Sequence, residues 1–361
     1  MPCSIVEVNM KKATIQDVAN ACNVSIGTVD RVIHQRGRIS KETEQLVIQA
    51  MEQLNYIPKH SSAEKNLKGS IGVYYPTDQA EDSFWKDAEC GIDKAEEYLK
   101  PLGIQLIREK STSFTINEQE HALKDLVQKG VGGIITTAFD STASLSFRNI
   151  VPNSIPFATV INRSWNDQSL FHIGPNDEAM GSAIARLIAL YCRPDADVVV
   201  IAPSLELEGT QKRLAGFISK IKTELTQLNI LRIAPVLANS SETAYRLVEE
   251  QTSELLQAFD HVDAVYVTNG FVRSACDALK KSNKLGITQV FGHEIFSNIE
   301  SYIKGGLLTA SIYQNPQPQW YEAIINMANY LLHNRVPEHN ITAECTIITK
   351  ESLPLIRSFP D

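Results

Sequence analysis

"ATIQDVANACNVSIGTVDRVIH", residues 13–34, holds two short helical patterns around a break at Asn23. Thr14 and Asp17 form a T-x-x-D capping box, in which the Thr14 hydroxyl accepts from the Asp17 amide and the carboxylate accepts from the Thr14 amide, so a helix is predicted to start near Ile15. Val18 and Ala19 supply its buried stripe, and Asn23, which tolerates positive φ, is a natural stop. Ser25 caps a second helix whose Val29, Val32 and Ile33 follow the i, i+3, i+4 rule, leaving Ile26, Gly27, Thr28, Asp30 and Arg31 facing outward. After "HQRGRIS" (34–40), Ser40 caps a third helix with Val47, Ala50, Met51 and Leu54 on one face, and "NYIP" ends it at Pro58. Two short helices at a tight turn, closed by a third, make a helix-turn-helix unit whose second helix suits the major groove of DNA. From the helical pattern alone, a small cap on a larger protein fits equally well.

The order of residues goes further. "TIQDVANACNVSIGTVDRVIHQRGRISKETEQLVIQAMEQLNYIP" (14–58) resembles, without a gap, the DNA-binding head of the lactose-repressor (LacI/GalR) family of bacterial transcription regulators. The resemblance rests on the T-I-x-D-V-A start, V-S-x-x-T-V at the turn, R-V at the end of the second helix, I-S-x-x-T before the third, and the L-x-Y-x-P finish. It implies that Ile26 and Gly27 occupy two base-reading positions and Arg31 a third, on a docked helix running from Ser25 to His34. It also implies that Thr14, Ser25 and Thr28 hold phosphates through hydroxyls and helix-start amides. Two residues depart from the family pattern. Gly27 offers no side chain, and Asp30 places a carboxylate near phosphates or a cytosine amino group, so base specificity does not transfer from relatives. By the same resemblance the head begins at Met10, which makes residues 1–9 an expected upstream extension of the reading frame.

"KHSSAEKNLKGS" (59–70) reads as a polar linker. In the resembled family this hinge folds on DNA and a leucine wedges into the minor groove, a role only Leu67 can take here; the segment is shorter than the usual hinge and carries an unusual Glu64.

The charge distribution agrees with a nucleic-acid contact confined to one end. Residues 11–60 carry seven Lys and Arg against five Asp and Glu, whereas the whole chain has a formal charge of -8. The six cysteines are far apart and form no CxxC pair, as in a reduced cytoplasmic protein. Neither a signal peptide nor a membrane span is read in the sequence.

From Ile71 onward short apolar runs alternate with amphipathic ones. "SIGVYYP", a helix to Leu102, "IQLIRE", a helix over 117–129, "GGIITT" and "FATVIN" come first, then "DVVVIAP", "LRIAPVL", "DAVYVT", "ITQVFG" and "LLTASIY". Such alternation predicts parallel sheets covered by helices on both faces, in two lobes because the chain is too long for one ordinary sheet. The expected organisation is a small all-α head (11–58), a hinge (59–70) and a two-lobed α/β ligand domain (71–350). One lobe is placed at about 71–163 and 293–316, the other at about 164–292 and 317–350. This part is similar to the sugar-binding, periplasmic binding protein type I-like domain that the same family carries behind its head.

Ligands of open parallel sheets sit at the carboxyl ends of the strands. Candidates there are Asp82, Phe84 and Trp85 in "EDSFWKDAECG", Thr137 and Asp140 after "GGIIT", and Asn162 and Arg163 after "FATVI". Arg213 in "RLAGF", Asn269 after "VYVT", Glu294 in "FGHE" and Gln314 after "ASIY" complete the set. An aromatic face suits the C–H side of a sugar ring and carboxylates or amides bind its hydroxyls. Relatives commonly have Asp at positions 162 and 294 and an acid at 270, so Asn162, Glu294 and Gly270 leave the ligand's identity open, with a sugar or sugar derivative favoured.

No GxSxG, Walker or GxGxxG loop occurs, the eight histidines lack HExxH spacing, and Glu206 and Glu208 in "LELEG" read as a loop rim rather than a catalytic pair. The expectation is a homodimeric, cytoplasmic, ligand-responsive repressor of a pseudo-palindromic operator, with no catalysis, cofactor or metal. The alternatives are a sugar-binding protein that does not bind DNA and a two-lobed α/β enzyme.

Overall fold

A computed structural model of the chain describes residues 14–33, 39–54, 56, 69–77, 83–111, 115–138, 147–163, 168–238, 240–296 and 298–355. The chain divides into two compact units, Met1–Asn66 and Leu67–Asp361. The expectations for His34, Leu67, Asp82 and Asp140, and for most of the hinge, lie outside the described residues.

In the first unit, helix α1 (Ile15–Ala21) begins at the expected capping box, with the Asp17 amide donating to Thr14 Oγ1 and the Thr14 amide donating to Asp17 Oδ2 at 2.7 Å. Asn23 takes a left-handed φ of 53° and turns the chain into α2 (Ile26–Ile33). Ser25 and Ser40 cap α2 and α3 (Lys41–Gln53) by accepting from the amides of Thr28 and Thr43. Val18, Ala19, Cys22, Val29, Val47 and Ala50 form the core among the three helices.

The second unit contains two six-stranded sheets. The first is built from β1 (Ser70–Pro76), β2 (Gln105–Ser111), β3 (Gly133–Thr136), β4 (Phe157–Val160), β5 (Phe171–Gly174) and β11 (Asn340–Thr342), in the order β11-β5-β4-β3-β1-β2. The second uses β6 (Asp197–Pro203), β7 (Asn229–Val236), β8 (Ala264–Val267), β9 (Gln289–His293), β10 (Ala310–Tyr313) and β12 (Thr346–Thr349), in the order β12-β10-β9-β8-β6-β7. Among the described residues all pairings are parallel except β10 with β12.

Strand alternation assigns the two faces of each sheet. Ile71, Val73 and Tyr75 point toward α4 (Ser83–Leu99) and α12 (Pro316–His333), while Tyr74 and Ile134 face α5 (Ile116–Gln128) and the short α6 (Phe147–Ile150). In the second sheet Val198, Val200 and Tyr266 pack on α7 (Asp177–Tyr191) and α8 (Glu208–Glu224). Val199, Ile201 and Val265 pack on α9 (Ser241–Ala258), α10 (Val272–Lys281) and α11 (Ile299–Lys304). Gly181 and Gly216 let α7 and α8 approach backbone to backbone: a Cβ on Gly181 would run into the Arg213 carbonyl, and one on Gly216 into that of Glu178.

The expected division of the lobes is corrected at both boundaries. The first lobe extends past residue 163 to β5, because Ala158, Thr159 and Val160 pair with Phe171, His172 and Ile173. Residues 293–316 do not return to it: β10 pairs with β9, Ala310 opposite Phe291, and stays in the second sheet. Residues 317–342 belong instead to the first lobe, since Trp320, Ala323, Ile324 and Met327 of α12 complete its core and β11 pairs with β5. The chain therefore crosses between lobes three times, at about residues 175, 315 and 344.

Candidate functional site

On the first unit the outward face of α2 is the candidate DNA surface. Ser25, Ile26, Gly27 and Arg31 are exposed there, Thr28 and Asp30 are half-buried, and Thr14 is exposed at the start of α1. Ile26 is 42% exposed although apolar, and the other face of the same helix is anchored by fully buried Val29. A Cβ placed on Gly27 would meet only Ser25 Oγ, at 3.7 Å, so packing within the unit does not demand glycine there.

On the second unit the carboxyl ends of both sheets enclose a cavity of about 260 Å³. Seven of the sequence-predicted residues line it: Phe84, Trp85, Asn162, Arg213, Asn269, Glu294 and Gln314. Phe84 and Trp85 start α4 and meet edge to face, centroids 5.0 Å apart; Phe84 is buried with the core and Trp85 is half-buried, presenting more of its ring. Gln314 Nε2 donates to Glu294 Oε1 at 2.7 Å, and the buried Gln314 Oε1 has no hydrogen-bond partner among the described residues. Such an acceptor costs about 1–3 kcal/mol unless a ligand donor or water meets it.

Arg213 is buried, its Nε donating to Asp177 Oδ1 at 2.7 Å and its Nη1 to the Thr268 carbonyl at 3.4 Å. Burial opposes the guanidinium charge, but Asp177 and Glu294 outweigh it and hold the pKa above the ordinary arginine value. Asn269 is committed to its own loop, donating to the Pro203 carbonyl and accepting from the Phe271 amide.

Three strand ends bordering the cavity hold non-glycine residues in the left-handed region: Ile161 (φ 69°), Ser204 (φ 54°) and Glu294 (φ 68°). Each costs on the order of 1–3 kcal/mol, and such strain gathers where a fold is shaped for a ligand.

Two expected residues fall elsewhere. Thr137 is buried behind the wall, its hydroxyl accepting from the Asn162 amide at 3.4 Å, so it positions Asn162 rather than lining the cavity. Arg163 turns away and bonds through Nη2 to Asn340 Oδ1, on a neighbouring cavity. Sequence reasoning missed Thr115, Glu206, Thr210, Ser240, Ser241 and Phe271, which also line the main cavity. Thr115 and Ser240 carry a readable signal, since both are helix N-caps. Glu208, expected on a loop rim, is buried in the first turn of α8. Among the described residues no cluster of three or more His, Cys, Asp or Glu is placed to hold a metal, and no helix is long and apolar enough to cross a membrane.

Comparison with known proteins agrees with both units. Residues 14–59 match the lacI family of bacterial regulatory proteins, and residues 71–335 match the periplasmic binding protein domain. The ribose operon repressor of Halalkalibacterium halodurans is 27% identical over 76% of this chain and 76% of its own length. The HTH-type transcriptional regulator DegA of Bacillus subtilis is 28% identical over 70% of this chain and 74% of its own. Among solved structures, GanP, a glucose-galactose binding protein from Geobacillus stearothermophilus, superposes with a TM-score of 0.71 at 22% identity, over 79% of this chain and 99% of that one, which establishes a shared fold.

Proposed function

Because the chain belongs to the periplasmic binding protein domain family and carries a head of the lacI regulatory family, we propose that it is a DNA-binding transcription repressor whose operator affinity is set by a sugar or sugar-like effector held between its lobes. Two copies bind a pseudo-palindromic operator in the cytoplasm as a homodimer, each laying α2 in the major groove of one half-site. Ile26, Gly27 and Arg31 face base edges, while Thr14, Ser25 and Thr28 hold phosphates beside Asp30.

The observation that carries the effector reading is the cavity at the carboxyl ends of both sheets, with the Trp85 ring on one side and Glu294, Gln314, Arg213 and Asn162 around it. An aromatic face against sugar C–H groups, with amide and carboxylate groups for the hydroxyls, is the chemistry of carbohydrate binding. The ribose operon repressor among the relatives supports the same class of effector. A ligand that favours one lobe arrangement shifts operator affinity by its differential binding, about 1–3 kcal/mol or about 5- to 150-fold in typical coupled systems.

The test is selection of bound duplexes from a random pool, then anisotropy titrations of the selected operator with and without pentoses, hexoses and inositols. Operator binding that shifts by 5-fold or more with one of these is expected. Absence of any DNA binding at low salt overturns the regulator reading.

A further inference from the structure

Beside the main cavity, where Gly174–Asp177 and Asn340–Thr342 lead into two of the interlobe crossings, lies a second cavity of about 210 Å³. The two share walls at Ile161 and Asn162, and adjacent residues divide between them, Leu207 lining the first and Glu208 the second. Their linings differ in character. Aromatic and aliphatic side chains occupy much of the first, whereas Glu208, Lys212, Arg163, His172 and Asn340 face the second.

Glu208 is the decisive group. It is 5% exposed; Oε1 accepts from Lys212 Nζ at 2.6 Å, while the buried Oε2 has no hydrogen-bond partner among the described residues. A carboxylate only accepts, so Oε2 calls for a donor. Arg163 and Lys212 on the same cavity only donate, so an occupant has to accept as well. Hydroxyl groups do both. Each cavity alone falls below the roughly 300 Å³ at which small-molecule sites begin, and the adjoining pair lies within that range.

We infer that the second cavity is a hydroxyl-binding compartment of the effector site and that the effector is a disaccharide-sized carbohydrate, with one ring against Trp85 and the other donating to Glu208 Oε2. This rests on the carbohydrate-effector reading above. Arg163 then contacts the second ring, which accounts for its position away from the main cavity.

The experiment is calorimetric titration of the full chain with maltose, cellobiose, lactose, melibiose, sucrose and trehalose, alongside glucose, galactose, fructose and ribose. At least one disaccharide is expected to bind 10-fold or more tighter than its component sugars. Glu208→Gln should weaken that disaccharide by about 10- to 100-fold, the range of a hydrogen bond to a charged group, with monosaccharide affinity unchanged within 2-fold. Thr342→Phe, at the exposed rim of the second cavity, should do the same by occlusion and serves if Glu208→Gln does not fold. Monosaccharides binding as tightly as every disaccharide, or disaccharide affinity indifferent to both variants, overturns this inference and leaves the carbohydrate-effector reading intact. Failure of all ten sugars to bind overturns both.

Discussion

Replacing Arg213 with Met tests whether the cavity wall is held by charge. Arg213 and Asp177 are both buried, and their 2.7 Å contact ties α8 to α7 where Gly181 and Gly216 bring the helices together. Removing the cation alone leaves a carboxylate in a low-dielectric wall, which costs about 3–5 kcal/mol when one member of a buried pair is lost. At about 2–4 °C per kcal/mol for a large domain, the melting temperature of the second unit should fall by about 6–20 °C. The double variant Arg213→Met with Asp177→Leu removes both charges and fills the space with aliphatic atoms, so it should recover most of that loss, because two uncharged groups carry no desolvation penalty. Urea unfolding of the full chain followed by circular dichroism, with the four proteins forming a double-mutant cycle, supplies the numbers. A single-variant loss below about 1 kcal/mol, or a double variant no better than the single, would refute the idea that an uncompensated buried carboxylate dominates the cost.

Three further outcomes follow from particular residues. Ser204→Gly should stabilise the second unit by about 1 kcal/mol, because glycine relieves the left-handed backbone at the end of β6; differential scanning calorimetry checks this, and unchanged or lowered stability contradicts the strain assignment. Gly27→Ala should stabilise the first unit by about 0.5–1 kcal/mol, since the added Cβ makes only an ordinary van der Waals contact with Ser25 Oγ and a helical glycine is replaced; its operator affinity, measured by anisotropy, should change independently of that gain. Acidification should destabilise the second unit through His172, which burial and then the Arg163 and Lys212 charges push down to about 3, and through His293, which burial and Arg213 push well below its ordinary value. The unfolded chain protonates both near pH 6.5 while the folded chain does not, so each removes up to about 1.4 kcal/mol per pH unit below that point, for His172 until about pH 3. Asp87, raised to about 6 by burial despite accepting from Tyr313, binds its proton first in the folded state and offsets one histidine between about pH 6 and 4. Urea midpoints between pH 7 and 4.5 should therefore fall, and His172→Gln should flatten the slope; an equal slope in the variant counts against the assignment.

The head was legible because its signals are local: a capping box, a left-handed Asn23 and two apolar stripes all lie within a few residues of the turns they set. The body's apolar strands were legible for the same reason, even the four-residue β3, β4, β8 and β10. Strands β5, β11 and β12 were not, because His172 or exposed polar side chains interrupt the apolar pattern. Sheet membership was harder still, because whether residues 310–313 pair with β9 or return to the first sheet depends on partners distant in sequence. At the site, Asn162, Glu294 and Gln314 were readable from their places after strands, whereas Ser204 after β6 was passed over and Ser240, Ser241 and Phe271 reach the cavity through loops and helix starts. Asn162 and Arg163 are neighbours, yet Asn162 lines both cavities and Arg163 the second, a divergence invisible in composition.

The return of α12 to the first lobe has a bearing on how the polypeptide is born. Tyr75 leaves the ribosome early, but Trp320, the ring that packs against it at 5.8 Å, follows some 245 residues later. At roughly 5–20 residues per second, the nascent first lobe waits about 12–50 s with this apolar face covered by α4 alone. Any nascent chain truncated before α12 leaves the rest of that surface exposed permanently, so translation pauses or premature stops there hand the cell a chaperone client and not a free-standing lobe.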